Sequence, residues 1–413
     1  MASEHLGRVE RLTFRGNLRT TRYGWLRLTP AYSVHLVGEL LDRVTVGSGT
    51  VLDPFCGTGT TALVCAERGI RAETTDINPF LLWLTRAKAR RYTSADLRAF
   101  EKLGAAAARL VSAGSRCDVW MPPLYRIDRW WDEPTLEALG RLMARMRREE
   151  SGTVPRVADL LKVAFCRTMI ESAGVSFGHQ SMSFSNKPRA GPRRAGAARD
   201  AVAALWRAAV QVVAQSASSP VGRVPRALLC DARDLGARLS PDRFACVITS
   251  PPYPNRMSYI RELRPYMYWL GYLSDGRAAG ELDWQAIGGT WGCATSNVAK
   301  WEPTQPVEIP YRGFTKLLGR ISEKSPVLAR YVHKYFHDMV LHCRSLFEVV
   351  STGATVHYIV GNSRFYDTVL PVERIFARLL ESSGFAESTI RTIRKRSSKK
   401  ELYEFVVSAR RPA

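Results

Sequence analysis

The chain has 413 residues, 46% of them hydrophobic and 10% aromatic, a composition that predicts a folded rather than a disordered protein. Lys and Arg number 60 against 38 Asp and Glu, so the formal net charge is +22, which favours a polyanionic partner, nucleic acid ahead of an anionic membrane. No apolar run is long enough to span a bilayer, and the first residues lack the apolar stretch of a signal peptide. We therefore expect a soluble, cytoplasmic protein that does not bind membranes.

The cysteines indicate neither a metal site nor a disulfide framework. There are eight, none of them forms a CxxC pair, and most lie within apolar runs. We therefore predict no metal and interpret the cysteines as small buried hydrophobic residues.

The first hundred residues alternate between strand and helix patterns. After a helical pattern at 33–45, residues 48–53 fit a short buried strand, and a helix is predicted at 60–68. Residues 71–76 fit a second strand and 79–90 a second helix. This alternation implies parallel strands joined by crossover helices.

From about residue 95 to residue 222 the pattern becomes mostly helical. Apolar residues recur at intervals of three and four in four stretches, at 96–112, 133–148, 156–172 and 196–214. A tract rich in Pro, Ser and Arg at 183–199 predicts an exposed basic loop. We interpret residues 95–222 as a helical insertion.

The alternation resumes after the insertion. Two compact apolar strands are predicted at 226–231 and 244–249. Residues 275–325 contain Gly, Trp and Pro and are weakly periodic, which indicates a long loop or a small subdomain. The remaining predicted elements are a helix at 329–350, a strand at 354–360, a helix near 370–383 and closing strands near 387–394 and 402–408.

Two glycines, Gly57 and Gly59, lie between the end of the first predicted strand and the start of the first helix, in the stretch DPFCGTGTT. In a parallel sheet this is where ligands bind, because glycine admits a ligand close to the backbone and the helix N-terminus presents unpaired amides. An ordinary strand-to-helix turn is the alternative interpretation. The turn lacks the lysine of a phosphate-binding GxxxxGK[ST] loop, which disfavours an ATPase or GTPase.

Aspartates end three of the predicted strands. Asp53 is placed to meet a cationic ligand group, Asp76 to bind a pair of ribose hydroxyls, and Asp231 to accept from an exocyclic amine. Each of them alone is more often a helix cap or a turn residue. Three on one rim of a parallel sheet favour a binding site.

A second motif, TSPPY, follows the strand at 244–249. Together, DPFCGTGTT and TSPPY resemble the motifs of S-adenosylmethionine-dependent methyltransferases that act on exocyclic amino groups, especially bacterial DNA cytosine-N4 methyltransferases, in which serine before PPY is typical. The resemblance covers residues 33–90 and 226–409. It implies an α/β fold with a doubly wound, mostly parallel, seven-stranded Rossmann-like sheet.

The resemblance also implies domain boundaries. Residues 1–94 would form the cofactor-binding first part of the methyltransferase domain, and 223–413 the catalytic second part. The insertion at 95–222 and the predicted loop at 275–325 are both candidates for reading the DNA sequence.

S-adenosylmethionine is the cofactor that the resemblance implies. Its methionine part would be held by the glycine turn, with the candidates Asp53, Pro54, Phe55, Cys56, Gly57, Gly59, Thr60 and Thr61. Asp76 and Ile77 would bind the ribose, and Asp231 and Ala232 would reach the adenine. The segment TPAYS resembles a motif that closes over the cofactor carboxylate and adds Thr29 and Ser33, which could equally cap the following helix.

Ser250, Pro251, Pro252 and Tyr253 are the predicted catalytic residues. The amino nitrogen of cytosine is a poor nucleophile, because its lone pair is delocalised into the ring. The Ser250 hydroxyl and the Pro251 carbonyl are suited to accept hydrogen bonds from it, and the paired prolines hold these acceptors in place. Tyr253 offers a flat face to a base extruded from the duplex. We predict direct in-line transfer to N4, with no strong general base in the motif.

Other reactions are weighed against this one. Adenine-N6 methylation stays open because the two amino targets have similar geometry. RNA guanine-N2 methyltransferases share DPxCGxG and PPY, usually with Asn or Asp before PPY. Cytosine carbon-5 methylation needs a cysteine nucleophile, usually after proline, and no cysteine here follows proline. A catalytically silent nucleic-acid-binding protein is disfavoured by the two intact motifs.

Double-stranded DNA is the predicted partner. Arg256 and Tyr259 are expected to contact the sugar or phosphate of the extruded nucleotide. Two basic runs, 187–194 and 391–400, are expected to contact the DNA backbone, the second from a closing hairpin beside the site. The candidates in these runs are Lys187, Arg193, Arg194, Lys395 and Lys399. Solvated charge is the usual explanation of such runs, but the net charge favours phosphate contacts. The recognised sequence, a cognate restriction endonuclease and the oligomeric state are left open.

Overall fold

A computed structural model describes residues 12–17, 22–26, 28, 31–44, 47, 49–114, 117–176, 183–184, 194–290, 293–396 and 401–413. Seven strands form its main sheet: β1 (Thr50–Asp53), β2 (Ala72–Asp76), β3 (Arg226–Leu229), β4 (Phe244–Thr249), β5 (Val350–Gly361), β6 (Ala386–Lys395) and β7 (Tyr403–Arg410). Their spatial order is β6-β7-β5-β4-β1-β2-β3. Neighbouring strands from β3 to β5 pair parallel, whereas β7 pairs antiparallel with β5 and β6. The predicted doubly wound, Rossmann-like α/β fold is confirmed.

Helices alternate with these strands along the chain, and several follow one another in the sequence between β2 and β3. After a short helical turn at Phe14–Asn17, the first three are α1 (Val34–Asp42), α2 (Thr60–Glu67) and α3 (Pro79–Ala89). Between β2 and β3 follow α4 (Ser94–Ala113), α5 (Glu133–Glu150), α6 (Pro155–Glu171) and α7 (Ala195–Ala217). The rest are α8 (Tyr259–Trp269), α9 (Gly276–Gln285), α10 (Cys293–Lys300), α11 (Phe314–Ser322), α12 (Pro326–Val349) and α13 (Val372–Ser382). The described residues also include short strand pairs, Val175–Ser176 with Ser183–Phe184 and Ser363–Phe365 with Thr368–Leu370.

Strand β2 is polar in sequence yet buried in the sheet. Thr74 and Thr75 are fully buried, and their hydroxyls donate to the carbonyls of Asp53, at 2.8 Å, and Pro54, at 3.0 Å. Their polar groups are therefore satisfied within the sheet, as burial requires. The same two hydrogen bonds fasten the end of β1 and the start of the glycine turn to β2.

A single hydrophobic cluster joins α4, α5, α6 and α7 to α8. It includes Phe100, Leu139, Phe165 and Trp206 from those four helices and Trp269 from α8, each of them at most 1% exposed. The helices inserted between β2 and β3 therefore pack on the helix that follows the TSPPY motif. The two regions share one core although they lie far apart in the sequence.

Arg22 joins the ends of α3 and α7. Its side chain is buried, and its guanidinium donates to the carbonyls of Lys88, at 2.8 Å, and Arg90, at 2.6 Å, where α3 ends. It also donates to the carbonyls of Ala217, at 2.6 Å, and Ser219, at 2.8 Å, where α7 ends. The last carbonyls of a helix lack intrahelical partners and carry a partial negative charge. One cation thus satisfies the C-terminal carbonyls of two helices.

Residues 275–325, predicted to be a long loop or a small subdomain, contain regular structure. They hold α9, α10 and α11, and α11 packs on the long helix α12 through Phe314 and Phe336, whose ring centroids lie 5.5 Å apart. These helices are short and separated by Gly and Pro, which explains the weak periodicity of the sequence. In the described part of the chain, no helix combines the length and apolar composition that a membrane crossing requires.

Candidate active site

A cavity opens at the carboxyl ends of β1, β2, β3 and β4, and three groups of predicted residues meet in it. The glycine turn after β1 contributes Pro54, Phe55 and Gly57. The ends of β2 and β3 contribute Asp76, Ile77, Asp231 and Ala232, and the loop after β4 contributes Ser250, Pro251, Pro252 and Tyr253. Parallel strands place their carboxyl ends on one rim of the sheet, which is why segments so distant in sequence converge.

The glycine turn needs both of its glycines. Gly57 has φ +50° and Gly59 has φ +76°, backbone conformations that L side chains rarely adopt. A Cβ atom on Gly59 would lie 2.4 Å from the hydroxyl of Thr85 in α3. The neighbouring predicted residues Cys56, Thr60 and Thr61 are buried with Gly59. This part of the turn therefore lies beneath the cavity and does not line it.

Asp76 faces the cavity as a carboxylate with spare acceptors. One oxygen accepts from the Asn78 amide at 2.9 Å and the other from the Gly57 amide at 3.1 Å. A carboxylate can accept about four hydrogen bonds, so both oxygens retain acceptor capacity. Burial raises the pKa of Asp76 to about 6. The arrangement can bind a ligand that presents hydroxyl groups.

Asp53 is enclosed by hydrogen bonds beneath the turn. Its Oδ2 accepts from the Tyr32 hydroxyl at 2.8 Å, and its Oδ1 accepts from the Thr249 hydroxyl at 2.6 Å and the Phe55 amide at 3.2 Å. Burial raises its pKa to about 7. The carboxyl of Asp53 therefore braces β1, β4 and the turn, and Tyr32 rather than Asp53 lines the cavity.

The TPAYS segment contributes differently from the prediction. Ser33 caps α1, its hydroxyl accepting from the Leu36 amide at 3.4 Å, which is the alternative role considered for it. Thr29 lies outside the described residues. Ala31 and Tyr32, between them, line the cavity.

Asp231 forms an ion pair with Arg233, which is not among the predicted site residues. Arg233 donates to the Asp231 carboxylate, with an Nη2–Oδ2 distance of 2.6 Å. The same guanidinium reaches Asp338 of α12 at 3.2 Å and the carbonyl of Gln285, which lines the cavity, at 2.8 Å. An exocyclic amine bound to Asp231 would therefore share that carboxylate with Arg233. Arg233 lies only two residues after Asp231 in a charged turn, and nothing in the sequence there indicates that the two side chains pair.

His342 packs against Phe55 of the glycine turn, and it is also not among the predicted site residues. Its Nδ1 is 2.8 Å from the Ala232 carbonyl, its Nε2 is 2.6 Å from the Tyr358 hydroxyl, and its ring centroid lies 4.7 Å from that of Phe55. A carbonyl can only accept, so Nδ1 carries the proton and Nε2 accepts from Tyr358. Burial lowers the pKa of His342 to about 4, so the ring is neutral near pH 7. It contacts both Phe55 and Ala232, which line the cavity.

The TSPPY motif is held by partners on other elements. The Ser250 hydroxyl donates to the Ile359 carbonyl at 3.0 Å, and its side chain also lies within hydrogen-bonding reach of Tyr253. The Tyr335 hydroxyl of α12 donates to the Pro252 carbonyl at 2.7 Å, and the Tyr253 amide donates to the Tyr259 hydroxyl at 3.2 Å. The motif is thus braced at three points.

The β6–β7 hairpin forms another wall of the cavity through Arg394, Arg396 and Glu404. The Tyr253 hydroxyl donates to Glu404 at 2.9 Å, and burial raises the pKa of this tyrosine well above its ordinary value. The hairpin lies beside the motif, as predicted. Glu404 itself was not predicted, because a lone acid in an alternating strand resembles an ordinary surface residue.

Of the residues predicted to contact DNA, some lie at the cavity, some are exposed elsewhere and some are outside the described residues. Tyr259 lines the cavity, and Arg256, in a left-handed backbone with φ +63°, is exposed beside it. Lys395 is exposed at the end of β6, and Arg194 is exposed at the start of α7. Lys187, Arg193 and Lys399 lie outside the described residues. Among the residues that are described, no three His, Cys, Asp or Glu side chains are grouped to hold a metal ion.

Known proteins similar to this chain are methyltransferases. The Type II methyltransferase M.BsoBI of Geobacillus stearothermophilus is 20% identical over 439 residues, which cover 93% of this chain and 82% of the relative. The Type II methyltransferase M.AvaI of Nostoc sp. is 21% identical over 407 residues, which cover 91% of this chain and 81% of the relative.

Two further comparisons add little. No protein-family model matches the chain. Among solved structures, the rRNA methyltransferase aviRa from Streptomyces viridochromogenes aligns over 96% of each chain with 13% identity, and its TM-score of 0.29 is too low to support any conclusion. The similarity to the two Type II methyltransferases, which extends over almost the whole chain, supports methyl transfer as the reaction of this protein.

Proposed function

We propose that this protein transfers a methyl group from S-adenosylmethionine to the exocyclic N4 amino group of cytosine in a specific sequence of double-stranded DNA. The observation that carries the proposal is that the glycine turn and the TSPPY motif line one cavity. The first resembles the cofactor motif and the second the target-base motif of DNA cytosine-N4 methyltransferases. Their shared cavity would bring a methyl donor and an amino acceptor together.

The cavity suits S-adenosylmethionine in the chemistry of its walls. Asp76 offers acceptors for two ribose hydroxyls, and Phe55, Ile77 and Leu81 offer apolar surface to an adenine ring. When bound, this cofactor supplies a methyl group attached to a positively charged sulfur. Gly57 has no side chain at the point where the ligand would approach the backbone.

The target amino group would be held by Ser250 and the prolines. With the Ser250 hydroxyl donating to the Ile359 carbonyl, the serine oxygen would accept a hydrogen bond from the amino group. An acceptor there would receive a hydrogen bond from the amino group and help to localise the nitrogen lone pair for in-line attack. Tyr253 would stack on the extruded base, which an enzyme must remove from the helix to reach.

The charge of the protein supports DNA as the substrate. The net charge of +22 suits a polyanion, and Arg256 and Lys395 are exposed beside the cavity and on the neighbouring hairpin. Residues 1–94 and 223–413 form the methyltransferase domain in this proposal. The insertion at 95–222 and the helices within 275–325 are the two candidates for reading the sequence.

The proposal is tested by expressing the protein in bacteria that lack DNA methylation and sequencing their DNA with a method that reports modified bases. We expect N4-methylcytosine in one short sequence. N6-methyladenine in its place would reassign the target base, and methylated RNA beside unmodified DNA would overturn the proposal.

Catalytic and control variants sharpen this test. S250A should abolish methylation while cofactor affinity, measured by calorimetry, stays near that of the wild type. Ser274 is an exposed serine beyond α8, and S274A should methylate normally. Full activity of S250A would refute the assignment of the motif.

A further inference from the structure

Glu404 is a buried carboxylate on the wall of the cavity. Only 8% of the residue is exposed, and in the sheet it pairs with Gly361 at the end of β5. Ionisable side chains are seldom buried unless a partner compensates them, and a buried acid at a cavity wall requires an explanation. The hydrogen-bond partners of Glu404 provide this explanation.

Both oxygens of Glu404 are used. Oε1 accepts from the Tyr253 hydroxyl at 2.9 Å, and Oε2 accepts from Nε of Arg394 at 2.8 Å. The arginine neutralises the charge, and the tyrosine uses the remaining oxygen. The carboxylate therefore links the closing hairpin directly to the predicted base-stacking residue.

Arg396 covers one face of the same tyrosine ring. Its Cζ lies 5.4 Å from the Tyr253 ring centroid, and its Nε donates to the Tyr403 carbonyl at 3.1 Å. It crosses β5 where Gly361 has no side chain, since a Cβ there would lie 2.7 Å from Cζ. A base could therefore stack only on the opposite face of the ring.

The backbone of Tyr253 is fixed as well, because its amide donates to the Tyr259 hydroxyl at 3.2 Å. Its backbone is held by Tyr259, one face of the ring is covered by Arg396 and the hydroxyl is held by Glu404, so these three contacts restrict the orientation of the ring. Of these three restraints, the hydrogen bond to Glu404 acts on the tip of the side chain, where a small rotation moves the ring plane most. Stacking and in-line transfer both depend on that plane, because small misalignments of reacting groups lower rates strongly.

We propose that Glu404 is a positioning residue for the target base. By accepting from the Tyr253 hydroxyl it sets the plane on which the extruded cytosine stacks, and it does so from a hairpin more than a hundred residues away in the chain. This inference rests on the proposed function and adds a residue that the TSPPY motif does not contain.

The test uses four single variants and one double variant of the full-length protein on DNA that carries the target sequence. E404A removes the acceptor, E404Q keeps an acceptor oxygen in the same place, and Y253F removes the donor. E387A is the matched control, because Glu387 is an exposed acid on the same hairpin. For each, kcat, KM for DNA and cofactor affinity are measured, together with the fluorescence of 2-aminopurine at the target position, which rises when a base leaves the stack.

We expect E404A to lower kcat about tenfold or more, since the hydrogen bond joins a charged group to the stacking residue. Cofactor affinity should stay within about twofold, and the 2-aminopurine signal should fall. E404Q should recover most of the lost rate, and E387A should match the wild type. The E404A/Y253F double variant should be no slower than the slower single variant, because both changes remove one interaction.

Several results would overturn the inference. Wild-type kcat in E404A would do so, as would strictly additive losses in the double variant, which would show that Glu404 does not act through the Tyr253 hydroxyl. Equal losses of cofactor affinity and rate would indicate a general structural role. All of these presuppose a wild-type protein that methylates DNA, so failure of the proposed function itself is recognised separately.

Discussion

Replacing Asp53 with asparagine should change how the stability of this protein depends on pH. The carboxyl is only 1% exposed and accepts from Tyr32, Thr249 and the Phe55 amide. In D53N the side-chain oxygen can keep the contacts of Oδ1, while the new amide faces the Tyr32 hydroxyl. That hydroxyl can accept and pass its own proton to Thr61, its other neighbour. The substitution therefore removes a titrating group with little loss of hydrogen bonding.

The direction follows from the raised pKa of Asp53, about 7 in the folded protein against an ordinary value of 3.8. Below the ordinary value the carboxyl is protonated in both states, and above about 7 it is ionised in both. Between these values the unfolded chain releases a proton that the folded protein retains, so the stability contributed by the protonated carboxyl is lost as pH rises. The slope is about 1.4 kcal/mol per pH unit near pH 5 and falls to about half of that at pH 7, which gives roughly 2 kcal/mol from pH 5 to pH 7.

The measurement is urea unfolding of wild type and D53N at pH 5, 6, 7 and 8. The free energy of unfolding of D53N minus that of the wild type should rise by roughly 2 kcal/mol between pH 5 and pH 7 and level off by pH 8. D367N is the control, because the Asp367 side chain is 95% exposed, and its difference should stay constant. A constant difference for D53N as well would refute the reasoning, since it would mean that burial does not hold the proton on Asp53.

Two further substitutions test the scaffold of the cavity. G59A should destabilise more than G69A, because both positions have positive φ but only the Cβ of the first meets Thr85, at 2.4 Å; the excess should be roughly 1–3 kcal/mol by urea unfolding, and equal losses would contradict it. Y335F removes the donor to the Pro252 carbonyl and should lower the methylation rate at unchanged cofactor affinity, with a stability loss of roughly 1 kcal/mol. Y331F removes a hydroxyl that accepts a longer hydrogen bond, 3.4 Å, from the Arg256 amide, and it should lower the rate and the stability less. A Y335F rate equal to that of the wild type would count against a role for the hydrogen bond between Tyr335 and Pro252.

Local patterns were sufficient to predict the sheet and the strand-end residues. Buried strands and crossover helices leave periodic signals, and the carboxyl ends of parallel strands must share a rim, so Gly57, Asp76 and Ser250 could be brought together from the sequence. The polar strand β2 was also predicted, although its threonines are satisfied by partners that only the structure reveals.

The supporting residues could not be predicted in the same way. Tyr335 reaches the motif across 83 residues and Glu404 across 151, and nothing in their local patterns distinguishes them from core or surface positions. His342 lies on the apolar side of a long helix, where a buried histidine looks like packing. Such roles depend on which distant elements pack together, and single-sequence periodicity does not record this.

Arg22 has a mechanical consequence for the whole molecule. The chain leaves the sheet for the inserted helices just after α3 and returns just after α7, and Arg22 binds the backbone at both crossings. The two connections are thereby tied to one point, so the inserted helices cannot slide away from the sheet without breaking all of these bonds. Any movement that separates these two connections, for example when a duplex enters, must therefore break the hydrogen bonds of Arg22 in addition to disturbing the core that the inserted helices share with α8.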